Sequence, residues 1–296
     1  MNRRLRLVLA PLIVALTLVA FGYYISRHHD TVRMLGRVPL LTLVELVGLY
    51  IVFFLTMVLL TRVSLRVFHT RIAPQENMLL NAYSSLINFF GPGQSGPIFR
   101  GAYLKKRHNL PVKRYLFITL LSYAFYAMIS ALMMFGGTRP WWQTALLLVL
   151  VGGASIGVII WYKQRSKIGP EISVHWPSMG WIAVATALQL GVQAIIYAVE
   201  LHSLGAHASA GQVLAYTGVA NFALFVALTP GAIGFRESFL LFSTRLHHIG
   251  SSTIVAANVL DRGAYLVLLA LLAVAVVTLH AKRQLGVAQL ENITNK

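Results

Sequence analysis

The 296-residue sequence contains no cysteine and only 8 Asp and Glu, and charged residues of both signs together make up 11% of it. Without thiols there is no disulfide framework, iron–sulfur cluster or cysteine nucleophile to consider. Soluble domains carry roughly one quarter charged residues, so this composition does not furnish a water-facing surface for a globule of this size. Walker loops, dinucleotide fingerprints, acyl-transfer triads and HExxH helices are also missing. No enzymatic activity, cofactor or metal is therefore expected, and acid–base chemistry within a membrane is the one catalytic route left open.

What is present is hydrophobicity, at 57% of residues with a mean hydropathy of +0.70. Apolar runs approach or reach the ~20 residues that cross a hydrocarbon core about 30 Å thick. They predict an all-α polytopic membrane protein with about six transmembrane helices: Leu5–Ile25, Pro39–Thr61, Tyr115–Phe135, Thr144–Tyr162, Met179–His202 and Ser252–Leu279. The basic start Met1-Asn2-Arg3-Arg4-Leu5-Arg6 looks like a signal peptide. Its long apolar body, followed by no small-x-small site, reads as an uncleaved first span.

Two further apolar segments are broken in the middle. Met78–Leu104 is interrupted by Gly91-Pro92-Gly93, and Gln212–Ser243 by Pro230-Gly231. Proline removes a backbone donor and clashes with the preceding turn, so each segment predicts two half-helices. The basic residues decide how these lie. With the N-terminus inside, the cytoplasmic loops collect Arg3, Arg4, Arg6, Arg62, Arg66, Arg71, Lys105, Lys106, Arg107, Lys113, Arg114, Lys163, Arg165, Lys167, Lys282, Arg283 and Lys296. Only Arg27, Arg33, Arg37 and Arg139 fall opposite. That bias obeys the positive-inside rule if each broken segment enters and leaves on one side, as a re-entrant hairpin.

The layout becomes a first repeat over residues 1–140 with a hairpin at 78–104, and a second over 141–283 with a hairpin at 212–246. A cytoplasmic tail at 284–296 follows. Each half has an odd number of spans, so the second is expected to be inverted. The pairing is supported by a shared Pro-Gly-x-x-Gly spacing, Pro92, Gly93 and Gly96 against Pro230, Gly231 and Gly234. Interrupted segments at matching points of two halves mark a midplane binding site in transporters.

The first loop continues to Pro97 and Arg100, the second to Arg236 and Glu237. Free amides at a half-helix start beside an arginine suit an anion, phosphate above all. Intramembrane charges cost roughly 2.5–3.5 kcal/mol each unless paired or hydrated, which singles out Arg236, Glu237, Asp261 and Arg262. An Arg236–Asp261 or Glu237–Arg262 pair is expected across the hairpin. Glu45 and Glu200 read as reaching an interface. Asn81, Asn88, Gln94, Asn221 and Asn258 are secondary polar candidates, suited to interhelical hydrogen bonds. The doublets His28-His29 and His247-His248 read as lying near membrane surfaces, and the tryptophans as an interfacial belt. The run Lys105-Lys106-Arg107 reads as a patch for anionic headgroups. The net charge of +17 is assigned to orientation and lipids, not to nucleic acid.

The stretch Ala227-Leu228-Thr229-Pro230-Gly231-Ala232-Ile233-Gly234-Phe235-Arg236-Glu237 resembles the lysylphosphatidylglycerol synthetase transmembrane region. Asn88 to Leu104 looks like that family's other signature, although Pro97 stands where relatives often carry an acid. The resemblance implies a lipid-handling protein of a bacterial inner membrane, with both termini cytoplasmic. In two-domain relatives this region flips an aminoacylated phospholipid made by a soluble synthetase, a domain not expected here. It implies membrane lipids as partners, with anionic phospholipids or polyprenyl phosphates as cargo. Stand-alone relatives are linked with glycosyltransferases, which leaves a non-transporting scaffold for such an enzyme as the alternative.

Overall fold

The computed structural model describes residues 29–91, 95–136, 176–226 and 235–294, with single positions between 142 and 157. The expected spans Leu5–Ile25 and most of Thr144–Tyr162 lie outside the described residues. So do Pro92, Gly93, Gln94, Pro230, Gly231, Gly234 and the side chain of Glu237.

Among the described residues all regular structure is helical: α1 (His29–Gly36), α2 (Leu40–Arg66), α3 (Pro74–Phe90), α4 (Ser95–His108), α5 (Val112–Gly136), α6 (Trp176–Ser203), α7 (Ala210–Val226), α8 (Phe235–Phe242), α9 (Thr244–His247) and α10 (Ser251–Thr294). Four contain stretches long and apolar enough to cross a bilayer: Leu40–Arg66, Val112–Gly136, Pro177–Ser203 and Ser251–Thr278. A 27-residue helix such as α2 reaches about 40 Å, more than the ~30 Å hydrocarbon core. The chain is a multi-pass, all-α membrane protein. Helix α10 is continuous from Ser251 to Thr294.

Local chemistry sets the helix ends. Pro39 holds extended φ/ψ immediately before α2, and Pro74 opens α3 at a position whose amide would be unpaired anyway. Helix α6 closes on Gly205, which adopts φ +78° and lets Ala206 N donate to Leu201 O at 2.9 Å. Outward faces stay apolar: Leu40, Leu41, Val44, Ile51 and Leu55 on α2, and Leu266, Leu271, Val274 and Val277 on α10, are exposed. Lipid tails solvate such faces without the cost water would impose.

Helices α2 and α6 run antiparallel. At one end Pro39, Thr42 and Glu45 share a cleft with Ala198, Val199 and His202; at the other, Val63 and Val67 pack with Ile182. Helices α3 and α4 fold back on each other. Near their junction Ser95 Oγ donates to Ile87 O at 2.9 Å and Gly96 N to Asn88 Oδ1 at 3.2 Å. At the far end Tyr103 Oη donates to a Glu76 oxygen at 2.7 Å, and His108 Nε2 lies 2.8 Å from that oxygen. This pair opens toward the C-terminal end of α2, where Asn77 Nδ2 donates to Val58 O at 2.8 Å.

Helices α8 and α9 pack back along α7 in the same manner, with Phe222 against Phe239 at 6.3 Å and Tyr216 against His247 at 5.5 Å. They open toward the C-terminal end of α6, where Tyr197 meets Tyr216 at 5.2 Å and Leu201, Val213 and Ile249 share a core. The two helical pairs therefore open at opposite ends of the α2/α6 scaffold. His247 is fully buried. Its Nε2 lies 3.0 Å from Leu240 O and its Nδ1 accepts from Ile249 N at 3.2 Å, which closes the turn between α9 and α10.

Two glycines allow close helix approach. A Cβ on Gly96 would fall 2.6 Å from Ser84 O, and one on Gly218 would fall 2.5 Å from Ser130 O of α5. These are backbone atoms, so the helices themselves must separate. Gly96→Ala and Gly218→Ala are each expected to destabilise the protein by about 1–3 kcal/mol. Thermal unfolding in detergent reads this as a lowered midpoint, whereas Gly180→Ala, at an exposed position with open space around it, leaves it nearly unchanged.

Glu76 gives a pH prediction. Partial desolvation works to raise its carboxyl, but the hydrogen bonds with Tyr103 and His108 and the charges of His108 and Arg107 outweigh it and hold it below the usual glutamate value. A group lowered in the folded state stabilises above its unfolded value and loses that contribution as pH falls through its folded value. The midpoint of wild-type unfolding is expected to fall across the acid side of the glutamate range more steeply than that of Glu76→Gln.

Candidate functional site

Helix α10 gathers the elements that carry the predicted charges. Asp261 and Tyr265 lie one turn apart on it, so they share a face. From α8, Arg236 Nη1 donates to Asp261 Oδ2 at 2.6 Å, with side-chain exposures of only 7% and 3%. From α2, Tyr50 Oη donates to the other oxygen, Asp261 Oδ1. The Tyr197 ring of α6 lies 5.1 Å beneath the Arg236 guanidinium, a cation–π contact that strengthens where water is excluded. One turn away, Tyr265 packs on Tyr50 at 5.3 Å and on Phe89 of α3 at 5.7 Å. The ends of the two helical pairs nearest their breaks thus converge on one face of α10.

The Arg236–Asp261 pair forms as the sequence predicts. Arg262, its neighbour, is half-buried and acts electrostatically on Asp261; its expected partner Glu237 has no described side chain. Glu200 departs from expectation. It has no exposed surface, and no donor reaches either carboxylate oxygen; the group it meets is the Asp261 carboxylate, with which it can bond only when one of the two carries a proton. The charges acting on it are those of Asp261 and Arg236. An interfacial reading suits Glu45, which is exposed, but not Glu200.

Arg100 occupies a different setting. Its Nη1 donates to Thr61 Oγ1 at 3.0 Å and to Asn81 Oδ1 at 3.1 Å. Thr61 in turn donates to Asn81 Oδ1 at 2.9 Å, and Asn81 Nδ2 reaches Asn77 Oδ1 at 2.9 Å. Every one of these partners is neutral, and Arg100 Nε is buried with none. The guanidinium lines a cavity of ≈ 210 Å³ among α2, α3, α4, α5 and α6, with Ser84, Asn88, Ser122 and Gln189 supplying further polar atoms. Gln189 Oε1 is likewise buried without a partner. Tyr126 and Tyr265 line the same cavity; Tyr126 bonds Asn221 of α7, and Tyr265 packs on Tyr50, whose hydroxyl bonds Asp261, so Tyr265 links the cavity lining to the ion pair.

The amides divide by use. Asn88 accepts from the amide of Gly96 at the start of α4, and Asn221 accepts from Tyr126 Oη while donating to Thr217 O at 2.8 Å. Asn258 Nδ2 bonds Ile254 O at 2.9 Å, with its Oδ1 unpartnered. Sequence reasoning passed over Tyr50, Tyr197, Thr61 and Gln189, because single hydroxyls and amides in apolar spans carry no spacing signal. Among the described residues no group of three or more His, Asp or Glu is placed to hold a metal ion.

A family model described as the lysylphosphatidylglycerol synthase TM region matches residues 5–273. The chain belongs to this family. No curated protein matches it. The family match spans the helical scaffold, both helical pairs and both arginine centres, so all of the geometry above lies within the family's domain.

The ion pair makes a stability prediction. Breaking a buried pair by removing one partner typically costs about 3–5 kcal/mol, because the surviving charge is left uncompensated. Asp261→Asn should lower the unfolding midpoint sharply, and Asp261→Asn combined with Arg236→Met should recover much of the loss. A double variant as unstable as the sum of the two single changes would contradict direct coupling.

Proposed function

We propose that this protein moves an anionic, phosphate-bearing lipid across the membrane by alternating access. The observation that carries the reading is Arg100: a cation with only neutral partners, set in a polar cavity beside a helix break. Arg236 already has a carboxylate in Asp261, whereas Arg100 has none among the described residues. A phosphate entering the cavity would find an unspent positive charge, the unused Arg100 Nε donor and hydroxyls from Ser84 and Ser122.

Cavity size fits a headgroup, not a whole lipid. At ≈ 210 Å³ it is smaller than the roughly 300–1,000 Å³ of sites that enclose a drug-sized ligand. Acyl chains would stay outside, against the exposed leucines of α2 and α5 such as Leu55, Leu59 and Leu116. In this reading the two helical pairs are re-entrant hairpins of an inverted repeat, entering from opposite leaflets. Their opposite openings and their convergence on α10 support it. Cargo is either a phospholipid or a polyprenyl phosphate of a bacterial inner membrane, with the basic end of the first pair on the cytoplasmic side.

Reconstitution tests the proposal with separate vesicle sets, one holding fluorescent phosphatidylglycerol and one a labelled polyprenyl phosphate. Transbilayer movement above that of protein-free vesicles is expected for at least one set. Arg100→Ala is expected to slow it about tenfold to a hundredfold, the range of a hydrogen bond to a charged group at about 1.5–3 kcal/mol. Movement no faster than in empty vesicles for both lipids would reject transport. A glycosyltransferase that co-purifies through exposed Lys105, Lys106 and Arg107 would then favour the scaffold reading.

A further inference from the structure

The pocket around Asp261 holds donors and acceptors that do not meet. Arg236 uses Nη1 on Asp261, while its Nε and Nη2 are buried with no partner. Both oxygens of Glu200 are buried with no donor reaching them, and the side chain faces the Asp261 carboxylate, to which it can bond only if a proton sits between them. Buried polar groups are almost always hydrogen-bonded, so unmet donors and acceptors in one small pocket require an explanation. Packing here is otherwise tight: Tyr197, Leu201, Tyr216 and Ile254 are all essentially inaccessible.

The charge count points the same way. Asp261 already balances Arg236, so an ionised Glu200 would add a second carboxylate with no hydrogen bond and no counter-charge of its own. Burying such a group costs several kcal/mol. Around the pocket stand Tyr50 from α2, Tyr126 from α5, Tyr216 from α7, and Arg262 beside Asp261 on α10. His247 of α9 contacts Tyr216 from its far side. Tyrosines stay neutral at ordinary pH and the arginines stay charged. That leaves the two carboxyl groups, Asp261 on Arg236 and Glu200 beside Asp261, as the titratable members of the cluster.

We infer that Glu200 is a proton-binding site that controls which carboxylate holds Arg236. The proton comes from water, adds to one Glu200 oxygen and returns to water when released. With it bound, Glu200 is neutral and can donate to Asp261, while Arg236 stays on Asp261 and Tyr197. With it released, the Glu200 carboxylate competes for the idle Nε and Nη2 donors. Arg236 is carried on α8 and Asp261 on α10, so exchanging partners shifts α8 relative to α10. In a lipid transporter that shift couples a proton gradient to cargo movement. The coupling step rests on the transport reading above; the proton site does not.

Two measurements separate these. The first is infrared difference spectroscopy of the purified protein in phosphatidylglycerol-containing nanodiscs, titrated from about pH 5 to about pH 9. With only 8 Asp and Glu in the chain, a protonated-carboxyl C=O band can be assigned by substitution. A titrating band from a buried carboxyl is expected in wild type, absent from Glu200→Gln and retained at a shifted frequency in Glu200→Asp. Identical wild-type and Glu200→Gln spectra, from proteins that both elute as single species, would overturn the proton site. The second is movement of fluorescent phosphatidylglycerol, or of the labelled polyprenyl phosphate if that is the lipid moved, in vesicles with an imposed pH gradient. Wild type should respond to the gradient by about threefold or more, and Glu200→Gln should move the probe at one rate with or without it. A wild-type rate blind to the gradient overturns the coupling. A titrating Glu200 band with no probe movement in any vesicle rejects the transport reading and leaves the proton site standing.

Discussion

The contact on which this architecture depends is the buried Arg236–Asp261 pair. A guanidinium and a carboxylate less than one-tenth exposed persist in such surroundings only with a partner and further hydrogen bonds. Tyr50 supplies the bond to the second oxygen of Asp261, and the Tyr197 ring covers the cation. These four side chains come from α2, α6, α8 and α10. Satisfying one charge therefore fixes the position of four helices, and α8, only 8 residues long, is held in the bundle by it. Lipid does not drive helices together as water does, so polar contacts decide which faces meet.

The first helical pair follows the same rule with neutral groups. Asn77, Asn81 and Thr61 form a chain of hydrogen bonds between α2 and α3, and Arg100 joins it from α4. Each such bond is worth only about 0.6–1.7 kcal/mol in a membrane. Small residues at Ser84 and Gly96 let the backbones approach closely enough for the apolar contacts of Leu80 with Leu104 to form. Specificity of pairing comes from the polar atoms and much of the adhesion from packing.

Hydropathy alone located the long helices, because the length of an apolar run is a direct reading of bilayer thickness. Prolines at the ends and the interruption after Phe90 were legible for the same reason: each alters backbone hydrogen bonding locally. The Arg236–Asp261 pair was also legible, since two opposite charges in apolar stretches have few other options. Glu200 was not. Its burial depends on which way α6 rotates against α2 and α10, and that angle is set by tertiary packing of Leu46, Tyr50, Ile196 and Ala257, not by a local pattern. Tyr50, Thr61 and Gln189 were illegible for a similar reason, being ordinary residues made important by what faces them.

The two arginines differ in the quantity that matters for an anion, namely uncompensated charge. An incoming phosphate at Arg236 must compete with Asp261 at 2.6 Å, so binding there breaks a pair that organises four helices. At Arg100 it displaces nothing charged, because Thr61 and Asn81 are neutral. The same anion would bring its charge beside Tyr265, which lines the cavity and packs on Tyr50, the residue that bonds Asp261. Electrostatic interactions reach further through a low-dielectric helix bundle than through water. On the proposed transport reading, a charge entering at Arg100 would add to the negative side of the balance among Arg236, Asp261 and Glu200, and a proton taken onto Glu200 would offset it. Cargo binding and proton binding would then be linked through Tyr265 and Tyr50, without either ligand touching the other.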